Sequence, residues 1–600
     1  MSDKLTDMRN IEFLLYEVLD VEELTSHAYF EDHSRETFDM AIDTAYKLAQ
    51  EVMWPALRAT DHAGAKFDGK ATTVPEDMHE IWNLAAEGGW MAASKDYDYG
   101  GQQFPLTLSN LASFLFCCGN NAAAMYIVGC TGAGLLIESF GSQEQKTCYL
   151  EKLYSGEWAG TMALTEPRAG SSLSDITTQA RKAEDSDYYM IKGVKSFITS
   201  GDHDLTDNIV HPALVRIEGA PPGVKGISLM IVPKFRLDED GNVGEFNDVT
   251  TAGIEDKLGI KLSATATLNF GDNDDCRGWL LGEENKGLFY MFQLLNESRV
   301  FTGLQSVALA STAYQCALEY ARERIQGREL TSKDPATPPV PIIRHPDVRR
   351  MLLQQKAFVE GALGLVLYAT KLSDLMRAAE NEEDRERLGL LLDVLTPVIK
   401  AHFSDCAFES ISLAMQCFGG VGYTEEAPIA QLLRDSKVFS IYEGTNGIQA
   451  LDLLGRKLMM KNGAAGRALM AEIRKTIESG KLDENLKELG EKLEELQKNI
   501  AETTMDLAKT GQTGDVNLFL CNATPFLHAF SQMLMSWQWL TQALVARQAI
   551  DGGTDELDFY EAKINTARYY INWTTRQALA TMQTVKSKER TALDFKEAWF

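Results

Sequence analysis

Helical apolar periodicity organises this chain on both sides of a stretch that lacks it, and that interruption limits the folds open to it. Before residue 160, Ile42, Ala45, Tyr46, Leu48, Ala49, Val52 and Met53 recur near a 3.6-residue period. The run 106–140 is long, apolar and Ala-rich, as a buried helix pair requires, and Gly100, Gly101 and Pro105 break the chain just before it. Between about 160 and 275 come short β-branched or alternating runs at 188–191, 209–215, 228–232 and 265–270, with turn-rich pieces such as 219–226 between them. Helix returns at 288–318, 348–379 and 388–418. Pro335, Pro338, Pro339, Pro341 and Pro346 exclude helix from 331–346 and predict a long exposed loop. The order is therefore helical, then all-β, then helical.

A further helical block follows residue 460. Leu482, Leu486, Leu489, Leu493, Leu496 and Ile500 alternate four and three apart, a heptad seam. We read it as an amphipathic helix packing on its own domain. The stretch 526–546 is apolar but is broken by His528, Ser531, Gln532, Ser536, Gln538, Thr541 and Gln542. It reads as a buried helix, with no integral membrane segment expected.

Charge and cysteine usage narrow the function. Lys and Arg number 58 against 86 Asp and Glu, a net charge of −28, which argues against nucleic acid. The nine cysteines form no CxxC pair, and the polar start MSDKLTDMRN lacks a secretory core. Both point to reduced thiols and a cytoplasmic location. The nine histidines form no HExxH and no His/Cys cluster, so no metal site is expected; His402 and His528 read as satisfied helix residues. Cys417 reads as packing.

Four segments could carry chemistry. In 439–449 the lone carboxylate Glu443 sits among apolar and small residues, where burial raises a carboxylate's pKa and strengthens it as a base. In 162–172 hydroxyls and closely spaced amides could hold a polar heterocycle or a phosphate. In 195–201, Phe197 and Thr199 stand two apart, hence on one face of a strand. The GGVG of 419–422 follows no strand, so a Rossmann loop is excluded by context. Glu426, Arg434 and Asp435 read as a polar network leading to the Glu443 loop.

In this order, LTEPRAGSS, KSFITSG, RIQGRE, QCFGGVGY and LLRDSKVFSIYEGTNGIQ resemble the acyl-CoA dehydrogenase flavoproteins over about residues 40–455. The leader MRNIEFLLYEVLDVEEL and the C-terminal block resemble its roughly 600-residue bacterial branch, which includes 3-methylthiopropanoyl-CoA and fatty acyl-CoA dehydrogenases. The resemblance implies an α+β multidomain architecture. It would comprise a leader (1–35), an N-terminal helical domain (36–158), a middle β-barrel-like domain (159–280), a C-terminal four-helix-bundle domain (281–460) and an additional helical domain (461–600).

It also implies noncovalent FAD and a homodimer or dimer of dimers. Met162, Leu164 and Thr165 would line the isoalloxazine. Phe197 would pack on the flavin, where many relatives have Trp, with Thr199 near N5. Arg324 and Gln326 would meet the pyrophosphate across a dimer interface, Gln416 and Gly420 the adenosine half, and Thr445 and Asn446 the other end of the cofactor. RIQGRE lacks the aromatic usual before its glycine, and Gly447 stands where Gln is frequent. On the substrate side stand Ser171, Tyr442, Gly444 and the pair Asn296 and Arg299, with Asn where several relatives have Asp. Glu443 matches the base of most members. Some members place it just before the helix arginine, a position held here by Ser298, while Glu297 is turned about 100° away.

The implied reaction is α,β-dehydrogenation of an acyl-CoA to a trans-2-enoyl-CoA. The α-proton would pass to Glu443, the β-hydride to FAD N5, and the electrons to an electron-transfer flavoprotein. An acyl-CoA oxidase using O2 and a noncatalytic relative acting as an assembly partner are the alternatives.

Overall fold

The computed structural model describes residues 4–600. The chain divides into two compact units, one of Glu36–Ser298 and one of the leader up to Arg35 with Arg299–Phe600. The division falls inside the helix Gly287–Glu323.

In the first unit, helices Trp54–Ala63, Glu76–Glu87, Leu106–Phe140 and Gln143–Tyr154 precede a sheet. The run Leu106–Phe140 is two helices meeting at Asn120, whose φ of −157° and ψ of 95° are not helical. Asn120 explains the break: its Oδ1 accepts from the Ala123 N–H at 3.2 Å, capping the second helix, while its Nδ2 donates to Thr60 Oγ1 at 3.1 Å. By length and composition this is the one helix among the described residues that could cross a membrane, but 83% of its apolar window is buried in the protein. It is a core helix.

The sheet runs Val249–Ile254, Ala266–Phe270, Tyr188–Ile198, Arg277–Leu280, Ser228–Pro233, Ile209–Ile217 and Ala159–Gly160. Gln179–Lys182 pairs with both Tyr188–Ile198 and Ile209–Ile217. The apolar runs expected as strands lie on its core, where Ile191, Ala213, Val215, Met230, Val232, Leu268 and Phe270 pack together. Gln179–Lys182, Val243–Phe246 and Arg277–Leu280 escaped the sequence reading because each is only four residues long and the first two are mostly exposed; their ladder partners make them strands. The shared face inferred for Phe197 and Thr199 fails. Phe197 takes φ 58° and breaks the alternation, Lys195 and Ser196 are both buried, and Thr199 lies beyond the strand end.

The second unit is helical: Pro346–Ala378, Glu382–Phe418, Pro428–Ser436 and Asn446–Gly455, then Met460–Leu482, Lys487–Gln512, Ala523–Asp551 and Leu557–Lys586. The proline-rich segment 331–346 is largely exposed, as expected. Leu486, Leu489, Leu493, Leu496 and Ile500 form a buried seam, with Lys487–Gln512 packed on Met460–Leu482 and Leu557–Lys586. Leu482 is not part of it; it ends the preceding helix, 88% exposed.

The C-terminal block is bound to the rest of this unit. Trp539 Nε1 donates to the Ala357 carbonyl at 2.9 Å. Buried Lys563 donates to Glu360 Oε2 at 2.7 Å and to Asn10 Oδ1 of the leader. Arg9 meets Glu556 at 2.8 Å. The leader and the block are therefore laced together by charge-assisted bonds.

Candidate active site

Within 36–298, two motifs are joined by a buried ion pair. Lys195 Nζ donates to Glu166 Oε1 at 2.8 Å and to the Leu164 carbonyl at 3.1 Å. Glu166 also accepts from the Thr177 N–H and hydroxyl and from the Thr178 N–H. Burial alone would raise the Glu166 pKa, but Lys195 and these donors outweigh it and hold the carboxyl well below its usual range. The Ser196 N–H donates to the Thr165 carbonyl at 2.9 Å, so Leu164 and Thr165 lie beside the strand that carries Phe197.

Phe197 is 62% exposed, an unusual position for a large aromatic on a strand. Met162, Thr165 and Thr199 are half-buried, Leu164 is buried and Ser171 is exposed. Met162 Sδ lies 4.0 Å from Ser298 Oγ, close in sequence to half-buried Asn296.

Within 299–600, the structure brings Arg324, Gln326 and Gly420 onto one cavity of about 550 Å3, with Tyr320, Phe418, Gly419 and Thr424. Arg324 Nη2 donates to Gln326 Oε1 at 3.2 Å. Tyr320 stacks on Phe418 at 4.3 Å and forms an apolar wall. Gln416 is exposed on the helix leading to these glycines. Glu426, assigned by sequence to a network with Arg434, lines this cavity instead; the carboxylate that Arg434 meets at 3.5 Å is Glu425.

The Glu443 loop is a separate construction in the same unit. Glu443 takes φ 55° and Gly444 φ 81°, two successive left-handed residues before the helix Asn446–Gly455. Such a conformation costs a non-glycine residue about 1–2 kcal/mol and persists only where its surroundings enforce it. The enforcing contacts are evident. Thr445 Oγ1 caps the helix by accepting from the Ile448 N–H. Gln449 Nε2 donates to the Glu443 carbonyl at 3.3 Å. Tyr442 donates to Gln305 Oε1 at 2.7 Å and stacks on Phe439.

Asn446 donates to the Ala401 carbonyl and to Ser404 Oγ and accepts from Lys400 Nζ at 2.8 Å. Its side chain therefore anchors the loop to the helix Glu382–Phe418, and Thr445's hydroxyl serves the cap.

Glu443 Oε2 is buried with no hydrogen-bond partner. Burial pushes the carboxyl pKa up, and Arg299 and Lys400 pull it partly back. Arg299 is buried 3.8 Å from Asp452, which also holds Arg456 at 2.5 Å. A part-desolvated carboxylate with an open oxygen, on a rigid strained loop between two cations, can take a proton from a weak carbon acid.

The whole sequence has close relatives. It is 37% identical to a butyryl-CoA dehydrogenase of Syntrophomonas wolfei over 99% of each chain. The chain belongs to the acyl-CoA dehydrogenase family. Family models match in order: acyl-CoA dehydrogenase N-terminal domain at 35–157, middle domain at 161–273, C-terminal domain at 285–459, and acetyl-CoA dehydrogenase C-terminal like at 469–596. A 3-methylmercaptopropionyl-CoA dehydrogenase of Ruegeria pomeroyi is 36% identical over 88% of each chain. The fold resembles that of a Bacillus anthracis acyl-CoA dehydrogenase complexed with FAD, with a TM-score of 0.74, 24% identity, and coverage of 94% of this chain and 90% of that one.

Four residues of this acyl-CoA dehydrogenase escaped the sequence reading: Lys195 beside the 162–166 loop, and Gln305, Lys400 and Gln449 at the Glu443 loop. Lys400 carried a legible signal, a lone cation in the apolar run Val398–Phe403. Gln305 carried none, because only the tertiary fold brings it to the loop; Gln449 ends the 439–449 motif itself and reaches back to the Glu443 carbonyl. His402 and His528 both lie on helices and have polar partners, and the structure brings them together, which the sequence did not indicate: His402 Nδ1 lies 3.0 Å from His528 Nδ1, and His528 Nε2 lies 3.3 Å from Asp405.

Proposed function

We propose that Glu443 removes the α-proton of a saturated acyl-CoA thioester while the β-hydrogen leaves to FAD, giving the trans-2-enoyl-CoA. The carrying observation is the buried, unpartnered Glu443 Oε2 on its strained loop. An α C–H beside a thioester is weakly acidic, so the base must be aimed and the carbonyl oxygen must meet donors as enolate charge develops. The backbone N–H of Glu443 is the proposed protein donor. Tyr442 and Gln449 hold the loop in place, and Arg299, Gly444, Asn296 and Ser171 are the proposed acyl-CoA contacts.

FAD is the cofactor and supplies the two-electron acceptor for the β-hydrogen. The residues present fit it. Phe197 offers an exposed aromatic face beside half-buried Met162, Thr165 and Thr199, suited to a planar heterocycle. Arg324 and Gln326, beside the glycines of 419–420, offer charge and close approach to a pyrophosphate. Gln416 and Gly420 are assigned to the adenosine half.

The finer architecture is part of this reading, with domain limits at 1–35, 36–158, 159–280, 281–460 and 461–600. The ring of pairings through Gln179–Lys182 is read as a barrel and the helices of 281–460 as a four-helix bundle. The enzyme is taken as a cytoplasmic homodimer that passes electrons to an electron-transfer flavoprotein. The relatives named for butyryl-CoA and 3-methylmercaptopropionyl-CoA make short acyl chains the first to try.

Purified enzyme is expected to be yellow and to bleach anaerobically with one or more members of a C4–C16 acyl-CoA panel that includes 3-methylthiopropanoyl-CoA. Slow reoxidation on aeration supports a dehydrogenase, and rapid reoxidation with peroxide release an oxidase. Glu443→Gln should retain FAD and lose bleaching. Turnover by that variant would remove Glu443 as the base.

A further inference from the structure

We propose that Lys400 is a positioning residue that keeps the Glu443 carboxylate ionised and ready for its proton. The inference rests on the reading of Glu443 as the base. Lys400 is fully buried on the helix Glu382–Phe418. Its Nζ is aimed at the base loop by one hydrogen bond, 2.8 Å to Asn446 Oδ1, at the first residue of the helix that follows Glu443, Gly444 and Thr445. Asn446 is in turn pinned to Ala401 and Ser404, so the ammonium cannot swing away without unlacing the loop.

A buried ammonium is costly unless an anion answers it. Asn446 is a neutral acceptor, and among the described residues no carboxylate lies within 4.0 Å of Lys400 Nζ. The charged groups facing Lys400 are Glu443, Asp405 and Arg299. Asp405 faces His528 at 3.3 Å. Those facing Glu443 are Arg299 and Lys400, and Arg299 is paired with Asp452 at 3.8 Å. Lys400 is therefore the cation near Glu443 that no carboxylate pairs with at close range, Asp405 acting on it only from beyond 4.0 Å. Burial pushes the Lys400 amine down to about 7, with Glu443 and Asp405 opposing that fall, so its charge is sensitive to pH near neutrality. Once Glu443 has accepted the α-proton, the attraction between the two vanishes. The ammonium thus favours the resting carboxylate and opposes its protonation by solvent.

The test uses the FAD-loaded enzyme and compares Lys400→Met with Lys400→Arg. In Lys400→Met, the acid limb of kcat/KM against pH should move up by about one pH unit, a roughly tenfold loss on that limb that fades at alkaline pH. Lys400→Arg should restore the limb and abolish any inflection of the native profile near pH 7. A Lys400→Met profile superimposable on the native one, or an equal shift in Lys400→Arg, overturns the proposal. If Lys400→Met does not load FAD, Lys400→Arg decides alone, and an inflection near 7 that persists in it overturns the proposal. Glu443→Gln separates the two readings. Turnover in that variant sinks the base assignment, whereas an inactive Glu443→Gln beside an unshifted Lys400→Met sinks only the role of Lys400.

Discussion

Lys195 Nζ and Glu166 Oε1 lie 2.8 Å apart with both side chains closed off from solvent. With the Lys195 bond to the Leu164 carbonyl and the Ser196 N–H bond to the Thr165 carbonyl, this contact ties the loop carrying Met162, Leu164 and Thr165 to the strand carrying Phe197. Two sequence motifs separated by some thirty positions thus become one surface. Such a pair is less a source of stability than a liability if broken, because removing one partner leaves a buried charge unanswered.

Lys195→Met should therefore destabilise the protein by about 3–5 kcal/mol and weaken FAD retention. Lys195→Met with Glu166→Gln should recover much of the loss. Denaturant titration of the two variants beside the native protein checks this. A single variant as stable as the native protein would show that Glu166 finds another partner.

Gly444→Ala should lower kcat by about a hundredfold, the usual cost of displacing a reacting group by an ångström. At φ 81° an alanine is strained, and its Cβ would stand 2.7 Å from Gln449 Nε2. The Gln449 amide would have to leave the Glu443 carbonyl, freeing the loop. Rapid-mixing measurement of flavin bleaching reads the effect directly.

Glu443→Gln should be at least as stable as the native enzyme at pH 8 while inactive. The folded pKa of Glu443 is raised, so the folded state holds this proton to higher pH than the unfolded chain does. Stability from this group falls as pH rises through that window, and an amide removes the dependence. For the same reason kcat/KM of the native enzyme should fall as pH drops through the raised pKa. Melting temperatures of both proteins from pH 5 to 8 test the stability claim.

Acid should unfold the protein partly through three histidines. Burial lowers His203 to about 4 and His211 and His402 to about 3. Below pH 6.5 the unfolded chain takes up protons that the folded one refuses, so stability falls as pH drops from 6.5 towards these values. His402→Phe should flatten part of that slope between pH 6.5 and 4 in thermal denaturation. A slope unchanged in that variant would place its origin in carboxylates.

The alternation of helical, sheet and helical segments was legible because periodicity is a local property. Ile191, Ala213 and Leu268 announce a β core, and Leu486, Leu489 and Leu493 a helix seam, before any contact is known. The segment around Glu443 was legible through its place in an ordered set of motifs; the lone carboxylate among small and apolar residues was a weak signal by itself. What tertiary structure decided was how these pieces meet. Polar strands such as Gln179–Lys182 exist only because neighbours complete their ladders, and the left-handed turn at Phe197 ended an alternation that looked regular in sequence. The anchoring of Asn446 to Ala401 and Ser404, the bond from Tyr442 to Gln305, and the bond from Lys400 to Asn446 depend on helices distant in sequence. Local composition sets whether a side chain prefers burial. Which charges it meets once buried depends on long-range packing, and those charges set its protonation.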